Sequence, residues 1–187
     1  MMGSAFEVVL AAAAGGDEDA FGDLWRDLQP RLLRYFMVVA PGAAEDLASE
    51  TWLGVLRGIG SFRGNEPAFR VWVFTIARHR FVDWLRRAAR KQAEDVAVTG
   101  PVDLTAPDDP AAAALEGIST RAALALIATL PADQADAIML RVVAGLNVER
   151  VAAMMGKPPG TVRVLAHRGL RRLAEQLATD TRLRGVV

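Results

Sequence analysis

Apolar residues recur at three- and four-residue steps along most of the chain. Nowhere do they alternate convincingly with polar ones at period two. The pattern predicts helix throughout. A first helix over residues 5–14 is apolar and Ala-rich and ends near Gly15-Gly16. A second, over about 18–39, repeats Phe21, Leu24, Trp25, Leu28, Leu32, Tyr35, Phe36 and Val39 on successive turns, with Asp17 and Asp19 as acidic starters. Pro30 lies inside it and lacks the N–H that an interior turn needs, so a kink or break is expected there. Pro41-Gly42 ends the segment. A third helix, about 43–58, turns Leu47, Trp52, Val55 and Leu56 inward. A loop around residues 60–65 then precedes Pro67, which suits the first turn of a long helix running to about 91.

Residues 98–110 (VTGPVDLTAPDDP) hold three prolines, one glycine and three aspartates. Such a stretch supports no core and is expected to be a linker. Helical patterning resumes near 111 and continues to about 178, with breaks at Leu130-Pro131, Gly145-Leu146-Asn147 and Gly156-Lys157-Pro158. The expected fold class is all-α. Two small helical domains, 1–97 and 115–187, flank a flexible linker over 98–114.

Composition narrows the function classes. The 187 residues are 52% apolar, which excludes wholesale disorder and allows a real core. Cysteine is absent, so disulfides, thiolate nucleophiles and zinc fingers are excluded. No run of about 18 uncharged apolar residues predicts a membrane span. Residues 5–14 make a poor signal peptide, because Glu7 interrupts them and no basic segment precedes them. A soluble, cytoplasmic protein is the expectation.

The charge balance is 22 Lys+Arg against 22 Asp+Glu, but it is unevenly placed. Residues 78–91 (RHRFVDWLRRAARK) carry six basic residues and one acid, and residues 157–172 carry five basic residues and no acid. Two basic helices, one per domain, are the footprint of a nucleic-acid binder. Solvated helix ends favoured by the helix dipole would give the same runs. What separates the two readings is that each run coincides with a motif.

The C-terminal motif is residues 148–167, VERVAAMMGKPPGTVRVLAH. With Val148 at the first position of a helix-turn-helix, Ala152 falls fifth, where the two helices approach and only a small side chain fits. Gly156 falls ninth, at a turn that favours positive φ. Val162 falls fifteenth, in the core between the helices, and Val151, Met155 and Leu165 supply the other apolar contacts. The second helix, about 159–177, is then the recognition helix. Thr161, Arg163, Val164 and His167 are placed to reach base edges or nearby phosphates. Arg168, Arg171 and Arg172 lie further along and should mostly meet phosphates.

The N-terminal motif is FRGNEPAFRVWVFTIARHRFVDWLRRAARK, residues 62–91. On a helical wheel Phe69, Val73, Ile76 and Trp84 share a core face, with Phe81 near its edge. The opposite face carries Val71, Thr75, Arg78, His79, Val82 and Arg86, with Trp72 and Arg90 at its border. Aromatic side chains beside arginines suit unpaired bases, which stack while the cations neutralise phosphate. Ordinary core packing explains Phe69 better, and remains open for Phe62 and Trp72. In residues 43–57, Asp46 and Glu50 share an exposed face that either is simply solvated or, with Trp52, Leu53 and Arg57, meets a partner.

The run AEDLASETWLGVLRGIGSFRGNEPAFRVWVFTIARHRFVDWLRR resembles the promoter-melting domain of RNA polymerase sigma factors of the extracytoplasmic-function type (sigma-70 family, group 4). The run LPADQADAIMLRVVAGLNVERVAAMMGKPPGTVRVLAHRGLRRL is similar to their C-terminal domain. The likeness covers roughly residues 18–178. It implies a bacterial transcription initiation factor that binds core RNA polymerase and promoter DNA. Asp46, Glu50, Trp52 and Arg57 would dock on the polymerase clamp. Phe62, Arg63, Trp72, Arg78, His79, Arg86, Arg87 and Arg90 would read and open the −10 element, and the recognition helix would read the −35 element. An anti-sigma factor is an implied partner. No cofactor or metal is implied.

Five positions depart from the family's pattern. His79 stands where Asn is frequent, and an imidazole cannot reproduce the amide's paired donor and acceptor. Val164-Leu165 replaces a common Ser-Arg, Ser49 a common Gln, and Ala135 a common Arg.

Two other classes compete. A stand-alone helix-turn-helix regulator would explain residues 148–172 but not the aromatic-basic helix. A helical enzyme finds little support: the two histidines lie far apart, and no Glu-x-x-His pair, phosphate loop or nucleophile motif occurs.

Overall fold

The computed structural model describes residues 5–95 and 115–184, and the linker expected over 98–114 lies outside them. Among the described residues the secondary structure is helical and contains no strand. The chain forms two compact units. The first carries α1 (Phe6–Ala14), most of α2 (Glu18–Val39), α3 (Ala44–Gly58) and α4 (Glu66–Asp95). The second carries α5 (Leu115–Ala128), α6 (Ala132–Ile138), α7 (Val148–Met155) and α8 (Pro159–Arg184).

Helix starts follow side-chain chemistry. Asp17 caps α2, its carboxylate accepting the amide of Ala20 at 2.9 Å. Asn65 accepts the amide of Ala68 at 3.0 Å at the start of α4, and Asn147 that of Arg150 at 2.9 Å at the start of α7. Each satisfies a donor that the first helical turn leaves unpaired. Pro30 does not break α2, which continues unbroken from Glu18 to Val39. The flanking apolar turns supply the reason: Leu24, Leu28, Leu32, Tyr35 and Phe36 are all buried, and their packing outweighs one missing hydrogen bond.

The first core is aromatic. Tyr35 meets Phe36, Phe74 and Phe81 edge-on at 5.2, 5.9 and 6.4 Å. Phe69, Val73, Phe74, Ala77 and Phe81 form the buried face of α4. Ile76 and Trp84, expected in that face, are only half-buried. They sit at its margin, because the seam follows 69, 73, 77 and 81 at four-residue steps. Leu56, expected to point inward from α3, is 52% exposed, whereas Leu47, Ala48, Thr51 and Val55 define that helix's buried side. Trp25 is likewise exposed although it fits the period of α2.

In the second unit α6 is buried over Gln134–Ile138 and runs into a π-helical turn at Met139–Val143. It packs against α8, which also packs on α7. All three breaks read from the sequence are present. α7 ends at Gly156 in the left-handed conformation, φ 63° and ψ 33°, where its amide is bonded back to Ala153. A residue with a Cβ is disfavoured there.

Candidate nucleic-acid interface

The helix-turn-helix is built from inside outward. Val151, Ala152, Met155 and Val162 are buried between α7 and α8, and Leu165 is half-buried beside them. Full burial of each large apolar side chain contributes roughly 1.5–3 kcal/mol. These contacts fix the rotation of α8 about its axis. Gly169 lies on the same inward side, where α8 approaches α6 closely. The outward face of α8 therefore carries Thr161, Arg163, Val164, His167, Arg168 and Arg171, all exposed.

Three of the arginines have protein partners. Arg163 pairs with Glu149 of α7 at 3.3 Å, and Arg171 pairs with Glu175 at 2.9 Å. All four side chains are more than half exposed, so these pairs contribute little to stability and open readily toward phosphate. Arg172 differs. It reaches the buried amide of Gln134 at 3.4 Å and ties α8 to α6. Its guanidinium is thus partly committed to the fold, a role the sequence does not reveal.

The basic face of α4 is also assembled. His79, Arg86, Arg87 and Arg90 are exposed, and Arg78 is half-buried. Arg86 pairs with Asp83 at 3.3 Å, one turn earlier. Arg87 pairs across helices with Glu50 of α3 at 3.7 Å. That contact joins two residues the sequence assigns to different surfaces, so the basic face of α4 and the acidic face of α3 adjoin. Asp46 and Arg57 are exposed on α3.

Trp52 lies on the inner side of α3, as its period predicts, and not on the exposed stripe with Asp46 and Arg57. It is only 6% exposed, its indole N–H donates to Gln29 Oε1 at 2.7 Å, and its ring meets Phe21 edge-on at 5.6 Å. The residue is an anchor between α3 and α2 and presents no free face to a partner. Its wheel position explains this, because it lies well off the stripe shared by Asp46, Glu50 and Arg57.

Phe62 and Trp72 stand together at the corner between α3 and α4. Their rings are 5.0 Å apart and tilted by 31°, and both contact Phe69, at 5.3 and 5.6 Å. Phe6 of α1 backs Phe69 at 5.6 Å. Phe62 and Trp72 remain half-buried, so this aromatic corner is packed from behind and open in front. Arg63 curls back on its own loop, donating to the carbonyls of Gly60 and Phe62 at 3.0 and 2.7 Å. Among the described residues no cluster of His, Asp and Glu suits a metal ion, and no helix is long and apolar enough to cross a membrane.

Comparisons with known proteins agree with this layout. Residues 24–91 match the Sigma-70 region 2 family and residues 120–173 match Sigma-70, region 4. The ECF RNA polymerase sigma factor SigD of Mycobacterium tuberculosis is 33% identical over 183 residues, 95% of this chain and 86% of that protein. ShbA of Streptomyces griseus, another ECF sigma factor, is 37% identical over 171 residues, 86% of this chain and 89% of that protein. The sigma factor RpoE from Bartonella quintana, solved in complex with the anti-sigma factor NepR, superposes with a TM-score of 0.61 at 27% identity, over 84% of this chain and 98% of that one. The two family matches, in this order on one chain, do not favour a stand-alone regulator. The chain belongs to the extracytoplasmic-function RNA polymerase sigma factors, which direct core RNA polymerase to promoters.

Proposed function

We propose that this chain reads promoters with two helix faces, one in each unit, while a third surface holds core RNA polymerase. The observation that carries this reading is the orientation of α8. Its apolar residues are turned inward by the packing of α6 and α7, and its outward face holds Thr161, Arg163, Val164, His167, Arg168 and Arg171. In this reading that face enters the major groove at the −35 element. Arg172 contributes a phosphate contact only as far as Gln134 releases it.

The aromatic corner of Phe62 and Trp72, with the exposed cations of α4 and Arg63, acts on the −10 element. Extruding a base costs a few kcal/mol, roughly, and a surface that stacks it and hydrogen-bonds its edge offsets that cost selectively. His79 is exposed in this face, and its imidazole can both stack on a base and donate a hydrogen bond. Asp46, Glu50 and Arg57 meet the polymerase, with Trp52 holding the helix beneath them.

The chain supplies binding energy, and polymerase forms the phosphodiester bond. The reading places the protein in the cytoplasm with its DNA. An anti-sigma factor that covers the polymerase-facing and DNA-facing surfaces is a further proposed partner, supported by the RpoE–NepR complex.

The test is transcription in vitro with core RNA polymerase, followed by sequencing of the transcript starts. Initiation should occur at a defined set of promoters sharing −10 and −35 sequences. If the chain does not co-purify with core polymerase in a pull-down, the reading is wrong.

A further inference from the structure

Val164 sits at the centre of the outward face of α8. Val162 and Gly169 are buried, and Leu165 and Ala166 are half-buried. At 100° per residue, Val164 lies nearly opposite Val162 and Ala166. Thr161, His167, Arg168 and Arg171 surround it, and all are exposed. Val164 itself is 46% exposed. The neighbouring Arg163 lies about 100° round the helix from the valine and pairs with Glu149 on α7 at 3.3 Å. A β-branched apolar group thus stands alone in the middle of a polar, cationic face.

Charged neighbours on that face gain from phosphate, but a valine gains nothing from phosphate or from the polar base edges. In the major groove of unmodified DNA the apolar group available to it is the C5-methyl of thymine. We propose that Val164 reads one thymine of the −35 element through that methyl group. The inference rests on the reading of α8 as the −35 recognition helix, and it names a base feature that reading leaves open.

The test uses the full chain in holoenzyme with core polymerase. A −35 element is first selected from a randomised promoter library. Each thymine in it, on either strand, is then replaced singly by deoxyuridine, which removes only the methyl group. One thymine should prove sensitive, with promoter binding reduced about four-fold, as expected for the loss of one buried methyl contact. In the Val164→Ala holoenzyme the thymine-to-uracil ratio at that position should fall to about one. A merely structural role would lower binding on both templates and leave the ratio unchanged.

Three results overturn the proposal. If the selected element matters but no thymine in it is methyl-sensitive, Val164 does not read thymine, while α8 remains a −35 reader. If one thymine is sensitive and stays so in Val164→Ala, another residue makes the contact. If binding is indifferent to the −35 sequence altogether, both the proposal and the underlying reading of α8 fail.

Discussion

Single residues decide where this chain turns. Gly156 holds φ 63° at the end of α7, so a Cβ there forces a disfavoured backbone. Gly156→Ala should cost about 1–2 kcal/mol and lower the melting temperature of the purified protein, with Asn in the same place costing less. Asn147 accepts one hydrogen bond from the first turn of α7, and Asn147→Ala should cost about 1 kcal/mol, with Asn147→Asp close to neutral, by denaturant titration. His79 makes a different kind of prediction, because it is exposed and supports no core contact. His79→Asn should leave stability unchanged and shift the preferred −10 base, read from start sites across a promoter library. An unchanged profile would remove His79 from the reading face.

At the scale of helices, the fit of α8 against α6 is the sensitive joint. A methyl group on Gly169 would stand 2.6 Å from Ile138 Cδ1, with Leu130 Cδ1 and Gln134 Cβ at 3.3 and 3.4 Å. Gly169→Ala should therefore destabilise the second unit by about 1–3 kcal/mol through overpacking. Ile138→Val removes the offending methyl, so the double variant should be more stable than the sum of the two single changes predicts. Thermal unfolding of the four proteins in that cycle measures the coupling. The same joint also holds Arg172 against Gln134, so a shift of α8 would disturb a cation at the recognition helix as well as the core. In the first unit Trp52 plays the corresponding part, pinned to Gln29 of α2 at 2.7 Å.

For the whole molecule, zero net charge is a cancellation. Basic faces on α4 and α8 are offset by acids elsewhere, some within ion-pair distance of the arginines themselves, such as Glu50, Glu149 and Glu175. Such a chain should hold DNA weakly alone and well only with polymerase. Arg168→Ala in the holoenzyme should weaken binding on all promoters alike and flatten the log-affinity against log-salt line by about 0.9. Arg163→Ala should instead change the ranking of −35 sequences. Equal loss on every promoter would make it a phosphate contact.

The sequence by itself determined the helices, because helical period, caps and breakers are local. Asp17, Gly156 and the three breaks in the second half all lie where local chemistry puts them. The helix-turn-helix core was also legible, since fixed spacing of Ala152, Gly156 and Val162 encodes a contact between adjacent helices. Tertiary structure decided which apolar residues face inward and which cations are free. Leu56 and Trp25 fit a helical period yet stay exposed, because burial depends on whether another helix arrives opposite them. Trp52 lies on the inner side that its period predicts, and tertiary structure adds only its partners there, Gln29 and Phe21 of α2. Packing also continued α2 through Pro30, where local chemistry alone argues for a stop. Local rules place the turns, and the energy of burying a shared face decides the rest.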